Sequence, residues 1–216
     1  MSLQTLQRLF QYPPAQQALL HLYADSQSDC KKNGKCGPEV GMAREKDLLA
    51  VLRYFLKERI TTEISNDLPE DFLIDTEKVS VKHSQGAVGS AVKAKWTSDK
   101  DSTASDIASI ISADDGYYPH LLLIYMPKGQ KKIVIACVEN HTHRSVVKTL
   151  KEGAFKILNG NSRGFEYSKA AMKEFLSSAA FICEIANVDL EGGTDPIQKR
   201  MKQLELYGIS PTLPLE

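Results

Sequence analysis

Pro69-Glu70-Asp71-Phe72-Leu73-Ile74-Asp75-Thr76-Glu77-Lys78-Val79-Ser80-Val81-Lys82-His83 is the stretch on which the reading of this chain turns. Two short apolar runs flank the polar Asp75-Thr76-Glu77-Lys78, the pattern of two strands joined by a tight turn. Asp71 stands at the mouth of the first strand and Lys82 near the end of the second. Ser80 and Lys82 are two apart and share a face, while Val79 and Val81 take the other, with Phe72 and Ile74 as partners. The expectation is a polar working face, an apolar rear packed into a core, and an acid and an ammonium converging at one end. The competing reading is a surface hairpin whose charges are simply solvated.

Upstream, residues 3–25 are helical in pattern, with one stripe at Leu3, Leu6, Leu9 and Phe10 and another at Ala18, Leu19, Leu22 and Tyr23 after Pro13-Pro14. Residues 26–41 are polar and glycine-containing and read as a loop. Ala43–Glu58 reads as a strong helix. Downstream, Ser84–Ser90 reads as a flexible link, Ala91–Trp96 as a strand, and Ser102–Ser112 as a helix with Ile107, Ile110 and Ile111 facing in. Leu121–Tyr125 and Ile133–Val138 are apolar on both faces, so both are expected to be central strands, antiparallel across the turn Pro127–Gln130. Ser145–Leu158 and Ser168–Ser178 read as helices, with Asn159–Gly164 between them as a turn that breaks the chain. Phe181–Val188 is either a continuation of the second helix or an edge strand. The tail beyond Glu191 is polar.

The bulk numbers bound what the chain can be. Its 216 residues, 42% apolar, suit one large domain with a proper core. We expect a single domain over 1–216, with 1–42 forming an N-terminal helical region and a loop or arm. The 27 basic and 27 acidic residues balance, so contact with a polyanion depends on where the lysines lie. Four cysteines are too few for a disulfide scaffold of this size. Cys137 and Cys183 sit in apolar runs and read as buried thiols. Cys30 and Cys36 are spaced too widely for a usual zinc knuckle. No leader pattern or membrane-length apolar run is visible, so the chain reads as cytoplasmic.

Phosphodiester hydrolysis needs an activated water, an oriented phosphate and an offset for the charge on the leaving oxygen; carboxylates holding divalent ions supply most of this. Magnesium takes hard oxygen ligands, which suits Asp71. Lys82 is placed to orient a water or contact a phosphate. Ser80 stands where a second carboxylate is expected, and it can hold a water but brings no charge. Replacements are Glu70, Glu77, Asp99, or Glu45 from the preceding helix, which shares a stripe with Leu48, Leu49 and Leu52. The alternative for Glu45 is a first-turn acid favoured by the helix dipole. Lys78, Lys82, His83, Lys93 and Lys95 occur with no acid between residues 78 and 98, either a track along a phosphate backbone or a solvated edge strand.

Val79-Ser80-Val81-Lys82-His83-Ser84, with Val92-Lys93-Ala94-Lys95-Trp96-Thr97-Ser98-Asp99 and the later Asn161-Ser162-Arg163-Gly164-Phe165-Glu166-Tyr167-Ser168, resembles type II restriction endonucleases of the PD-(D/E)xK superfamily. The likeness spans roughly residues 69–170, and its motifs are short. It implies an α/β fold with a restriction-endonuclease-like core, a central mixed sheet flanked by helices. The family's aspartate falls on Asp71, one residue later than its usual place after proline, and its lysine on Lys82. Its second acid falls on Ser80, a departure; Glu45, Asp99 or Asp106 would have to serve instead. The resemblance implies Mg2+ held by Asp71 with Asp99 or Glu77, double-stranded DNA with a short palindromic site, and a homodimer. DNA contacts would come from Lys93, Lys95, His83, Gln85, Asn161 and Arg163, and from an arm carrying Lys35 and Met42. For Met42 the alternative is packing at a helix entry, and for Arg163 a surface or phosphate contact.

Beside a small zinc or structural protein using Cys30 and Cys36, three other readings stay open. A second registration places His120 in the aspartate's position and His141 in the lysine's. Glu139, His141 and His143 form a metal site of their own in a further reading. The last is a non-catalytic DNA-binding or regulatory module on the same scaffold, favoured by Ser80 in the acid's place.

Overall fold

Helix formation at the N-terminal end follows the expected stripes and then outruns them. The computed structural model describes residues 2–34, 37–61, 70–96, 103–113, 118–127, 132–158 and 161–186, with backbone alone at 37–38, 95–96, 157–158 and 161–163. The described residues divide into two compact units. The first holds α1 (Ser2–Gln11), α2 (Pro13–Lys32), α3 (Gly37–Leu56) and an antiparallel pair, β1 (Ile60–Thr61) with β2 (Phe72–Ile74). Pro13 and Pro14 open α2, where a missing N–H costs nothing. Gly34, at φ 64, follows its C-terminal cap Asn33 in the left-handed conformation that ends many helices.

The loop expected over 26–41 is therefore largely helix. Asp25, Ser26 and Cys30 are buried in α2, and Arg44 of α3 donates to the Gln27 side chain. Polarity marks Ser26 and Gln27 as loop formers, but a polar side chain is tolerated between helices once it is paired, as Gln27 is with Arg44. Met42 lies within α3 and is 61% exposed, so it is neither part of a loop arm nor packed at a helix entry. Lys35 and Cys36 lie outside the described residues, and Cys30 is a buried free thiol.

The second unit carries β3 (Glu77–Ser84), β4 (Lys93–Trp96), α4 (Ala104–Ser112), β5 (His120–Tyr125), β6 (Lys132–Val138), α5 (Asn140–Leu150), β7 (Phe155–Leu158), β8 (Asn161–Tyr167), α6 (Lys169–Ser177) and, as far as Glu184, β9 (Phe181–Ala186). Its larger sheet runs β3-β5-β6-β9, with β3 parallel to β5 and β5 antiparallel to β6. The smaller runs β4-β8-β7, antiparallel throughout. Every residue of β5 is buried, and so is all of β6 after Lys132, as expected of central strands. Thr103 and Asp106 form a reciprocal cap on α4, and Ser168 caps α6 through the Ala171 N–H.

Three expectations fail here. Residues 151–158 are not helix. Lys151 takes φ 50, one tight turn follows, and Phe155–Leu158 becomes a strand with Phe155 buried and Lys156 exposed. Asn161 and Arg163 consequently belong to a strand of a hairpin rather than to a turn after a helix. Ile110 is 47% exposed, while Ile107 and Ile111 face in. Phe181–Ala186 resolves as a strand whose residues alternate buried and exposed.

One apolar cluster lies on a single face of the larger sheet. It joins Leu121, Leu123 and Tyr125 of β5, their partners Val138, Ala136 and Val134 of β6, and side chains from α4, α5 and α6. Ser80 and Lys82 pair in register with Leu121 and Leu123, so they lie on this same covered face. The expected division into a polar face and an apolar rear does not hold. Val79 and Ser80 are both buried, on opposite faces of one strand.

Candidate functional site

Asp71 precedes β2 and donates its backbone N–H to the Val79 carbonyl at 2.8 Å, which fixes its position beside β3. Its side chain then reaches along that strand. Oδ2 accepts from the Ser80 hydroxyl at 3.1 Å and from the Val81 N–H at 2.5 Å. The Lys82 ammonium lies 3.9 Å from the same oxygen. The Asp71 and Lys82 side chains are 24% and 22% exposed, which leaves both reachable from solvent. Oδ1 of Asp71 accepts no hydrogen bond from a described residue. Two donors thus orient one carboxylate oxygen and leave the other free. Ser80 is 2% exposed, and its hydroxyl serves the aspartate rather than solvent.

Neighbouring acids are committed elsewhere. Glu70 is buried and pairs with Lys78 at 3.2 Å. Glu77 meets His120 Nε2 at 3.1 Å. His120 Nδ1 accepts the Asn140 N–H at 3.0 Å, so the neutral ring carries its proton on Nε2 and donates it to Glu77. That arrangement ties the starts of β3, β5 and α5 together. It also removes the second registration, because both nitrogens of His120 are occupied. Sequence reasoning missed this triad. The available signal was a histidine opening an otherwise apolar central strand.

His143 is fully buried against Tyr118, Tyr167 and Phe175, with ring centroids 5.4–5.7 Å away. Its Nε2 hydrogen-bonds the Tyr167 hydroxyl at 2.7 Å. Burial pushes its pKa down to about 3; the nearby Lys82 ammonium acts in the same direction, and a backbone contact with Pro119 opposes. Burial likewise raises Tyr118 and Tyr167. Glu139 and His141 lie 3.5 Å apart at the exposed start of α5. His143 turns away from them into the core, so the Glu139–His141–His143 metal site does not assemble. Among the described residues, no three His, Cys, Asp or Glu side chains cluster as a metal cage.

Glu45 lies in the third turn of α3, in the helical unit, because α3 begins at Gly37; the first-turn dipole reading fails. Asp47, two positions on, is the fully buried acid of that helix. His83 pairs with Ile124 on the sheet face opposite Lys82. Gln85 follows β3, and Lys93 is exposed on β4 opposite Glu166. Lys95, Asn161 and Arg163 are placed by backbone only, on β4 and β8. Asp99 lies outside the described residues, and Asp106 is committed to the α4 cap.

No family model and no curated protein sequence matches the chain. A solved structure described as "Restriction endonuclease in complex with substrate DNA" superposes with a TM-score of 0.70, covering 95% of this chain and 100% of that one, at 20% identity. The chain has a restriction-endonuclease-like fold. At that identity the likeness fixes the mixed sheet flanked by helices and leaves chemistry to the residues. Among the described residues, no helix is long and apolar enough to cross a membrane.

Proposed function

We propose that this chain is a metal-dependent endonuclease of double-stranded DNA, of the type II restriction kind in the PD-(D/E)xK superfamily. The observation that carries this reading is the convergence of the Asp71 carboxylate and the Lys82 ammonium, 3.9 Å apart, on a restriction-endonuclease-like fold. The related structure holds substrate DNA, which supports the same class of partner here.

The donor set fits Mg2+. Asp71 Oδ1 is a hard, uncommitted oxygen at a partly exposed position, and magnesium is commonly held by one or two carboxylates with waters and substrate phosphate oxygens completing its shell. A bound Mg2+ would supply Lewis-acid activation of water and charge neutralisation at the phosphate. The chain's own residues do the rest. Ser80 and the Val81 N–H hold Asp71 Oδ2 and leave Oδ1 without a donor among the described residues. Lys82 presents a positive charge 3.9 Å from Oδ2, placed for a phosphate oxygen or an attacking water. We assign the second acid to Asp99 or Glu77, with Glu77 the less available because His120 holds it. Lys93, Lys95, Gln85, Asn161 and Arg163 are the proposed DNA contacts, with Lys35 and Met42 as further candidates. His83, facing away from Lys82, is the weakest of the set. A homodimer acting on a short palindromic site follows from the resemblance. Three buried free thiols are in keeping with a reducing, cytoplasmic setting.

The test is digestion of long unmethylated duplex DNA with magnesium. Discrete fragments are expected. A smear points to a nonspecific nuclease. Binding without cutting points to a second reading, the non-catalytic module, which Ser80 favours because it spends its hydroxyl on Asp71 in the place of an acid.

A further inference from the structure

We propose that the loop Ser84–Ser90 is a preformed base-reading element, with Val88 at its tip and Gln85 on its flank meeting base edges in a DNA groove. The proposal rests on the nuclease reading above and names where its sequence preference arises. The loop leaves the strand that carries Lys82. Lys82 and Ser84 share a face and lie about 7 Å apart along that strand. A duplex with a phosphate at Lys82 therefore passes the loop roughly two base steps later.

The loop is not the flexible link its composition suggests. Ser84 Oγ and Ser90 Oγ meet at 2.9 Å, and Ser84 Oγ also accepts the Gly86 N–H at 3.1 Å. The Ser90 N–H donates to the Ala87 carbonyl at 2.9 Å. Both ends are tied to β5 and its extension. Met126 N–H donates to the Ser84 carbonyl at 2.8 Å, and the Tyr125 hydroxyl donates to the Ser90 carbonyl at 3.4 Å. A Cβ at position 86 would come within 2.8 Å of Ser90 Cβ, and Gly89 takes φ 83, so both glycines are required by the closed form.

Folding accounts for the clasp but not for what it displays. Val88 is 41% exposed at the tip, beside exposed Ala87. Among the described residues, none hydrogen-bonds the half-buried Gln85 amide. A solvated valine and a free amide on a rigid loop are preorganised for a ligand, because little conformational freedom remains to be lost on binding. An amide reads adenine N6 and N7 as a pair, and an apolar side chain packs on the thymine methyl, so an A·T pair is the edge this combination fits. The chain then runs into β4, where Lys93 is exposed beyond the loop, at a position suited to the phosphate backbone.

The experiment is selection from a randomised duplex pool with calcium in place of magnesium, using the wild type, Gln85→Ala and Val88→Ser, with thermal melts of all three. The wild type is expected to enrich a motif containing an A·T pair. Each variant should lose preference at one or two adjacent positions by about tenfold or more, with the other positions and the melt unchanged. Variants that enrich the same motif to the same depth would overturn the loop assignment and leave the nuclease reading standing. A uniform loss across all positions would also overturn it, marking the loop as scaffold. A wild type that neither selects nor cuts duplex DNA would sink both.

Discussion

Two polar clusters flank the same apolar core and meet opposite fates. At the Asp71–Ser80–Lys82 cluster, the two charged side chains remain about a quarter exposed, and hydrogen bonds fix one carboxylate oxygen while the other stays open. At His143, complete burial against three aromatic rings holds the imidazole neutral and spends Nε2 on Tyr167. The two are neighbours, since the Lys82 ammonium helps to lower the His143 pKa. What separates them is solvent. A charge at the margin of the core can meet a charged ligand, whereas a titratable group inside it becomes packing.

That contrast can be broken most sharply at Lys82. Replacement by alanine should reduce magnesium-dependent cleavage by about a hundredfold or more, the scale of losing one charge-stabilising group in a site of this kind. Single-turnover rates on a plasmid would check it, and an unchanged rate would move the chemistry elsewhere. The buried cluster should respond in stability instead. His143 binds protons less readily folded than unfolded, because its pKa falls from 6.5 to about 3. Between those values the unfolded state takes up more protons, so its contribution is present above pH 6.5 and is lost as pH falls toward 3. The slope approaches about 1.4 kcal/mol per pH unit. His143→Gln keeps a partner for the Tyr167 hydroxyl without titrating, and its denaturant midpoint should fall less steeply from pH 6.5 to 4.5 than that of the wild type. Equal slopes would show that other groups set the acid sensitivity. Ser80→Ala is the smallest change. It removes a hydrogen bond to a charged acceptor and should cost about 1.5–3 kcal/mol of stability by chemical denaturation, with Ser80→Thr recovering most of it.

Much of the layout was readable beforehand because periodicity reports burial. Leu121–Tyr125 and Val134–Val138 are apolar on both faces and proved central, and the hairpin stretch placed Asp71 beside Ser80 and Lys82. The failures share a cause. Ser26 and Gln27 look like loop residues until the fold buries the first and pairs the second with Arg44 of the next helix. Ser84–Ser90 looks flexible until the two hydroxyls meet. Residues 151–158 keep a helical apolar spacing, but Lys151 turns left-handed and the chain re-enters as strand. The hairpin's own turn was visible in Asp75-Thr76, whereas the Arg59 guanidinium that grips Asp75 through two hydrogen bonds was not. Composition carries no record of which distant residue satisfies a polar group.

Within the site, the positions of the carboxylate and the ammonium were legible, and the division of labour between Asp71's two oxygens was not. Ser80 read as a defect, an acid missing from its place; in three dimensions it holds the remaining acid. The Glu77–His120–Asn140 triad could not be foreseen, because it joins residues 43 and 20 positions apart through a register that only the parallel β3–β5 pairing creates.

Direct binding of a hard cation tests the account at its centre. Manganese, a paramagnetic stand-in for magnesium, would be titrated into wild type and Asp71→Asn in the presence of a short duplex and followed by electron paramagnetic resonance. The wild type should bind it, and the loss of the Asp71 charge should weaken that binding at least about tenfold, as expected when a site depends on few carboxylates. Equal affinity in the two proteins would contradict the assignment of Asp71 and Lys82 as a cation and phosphate site.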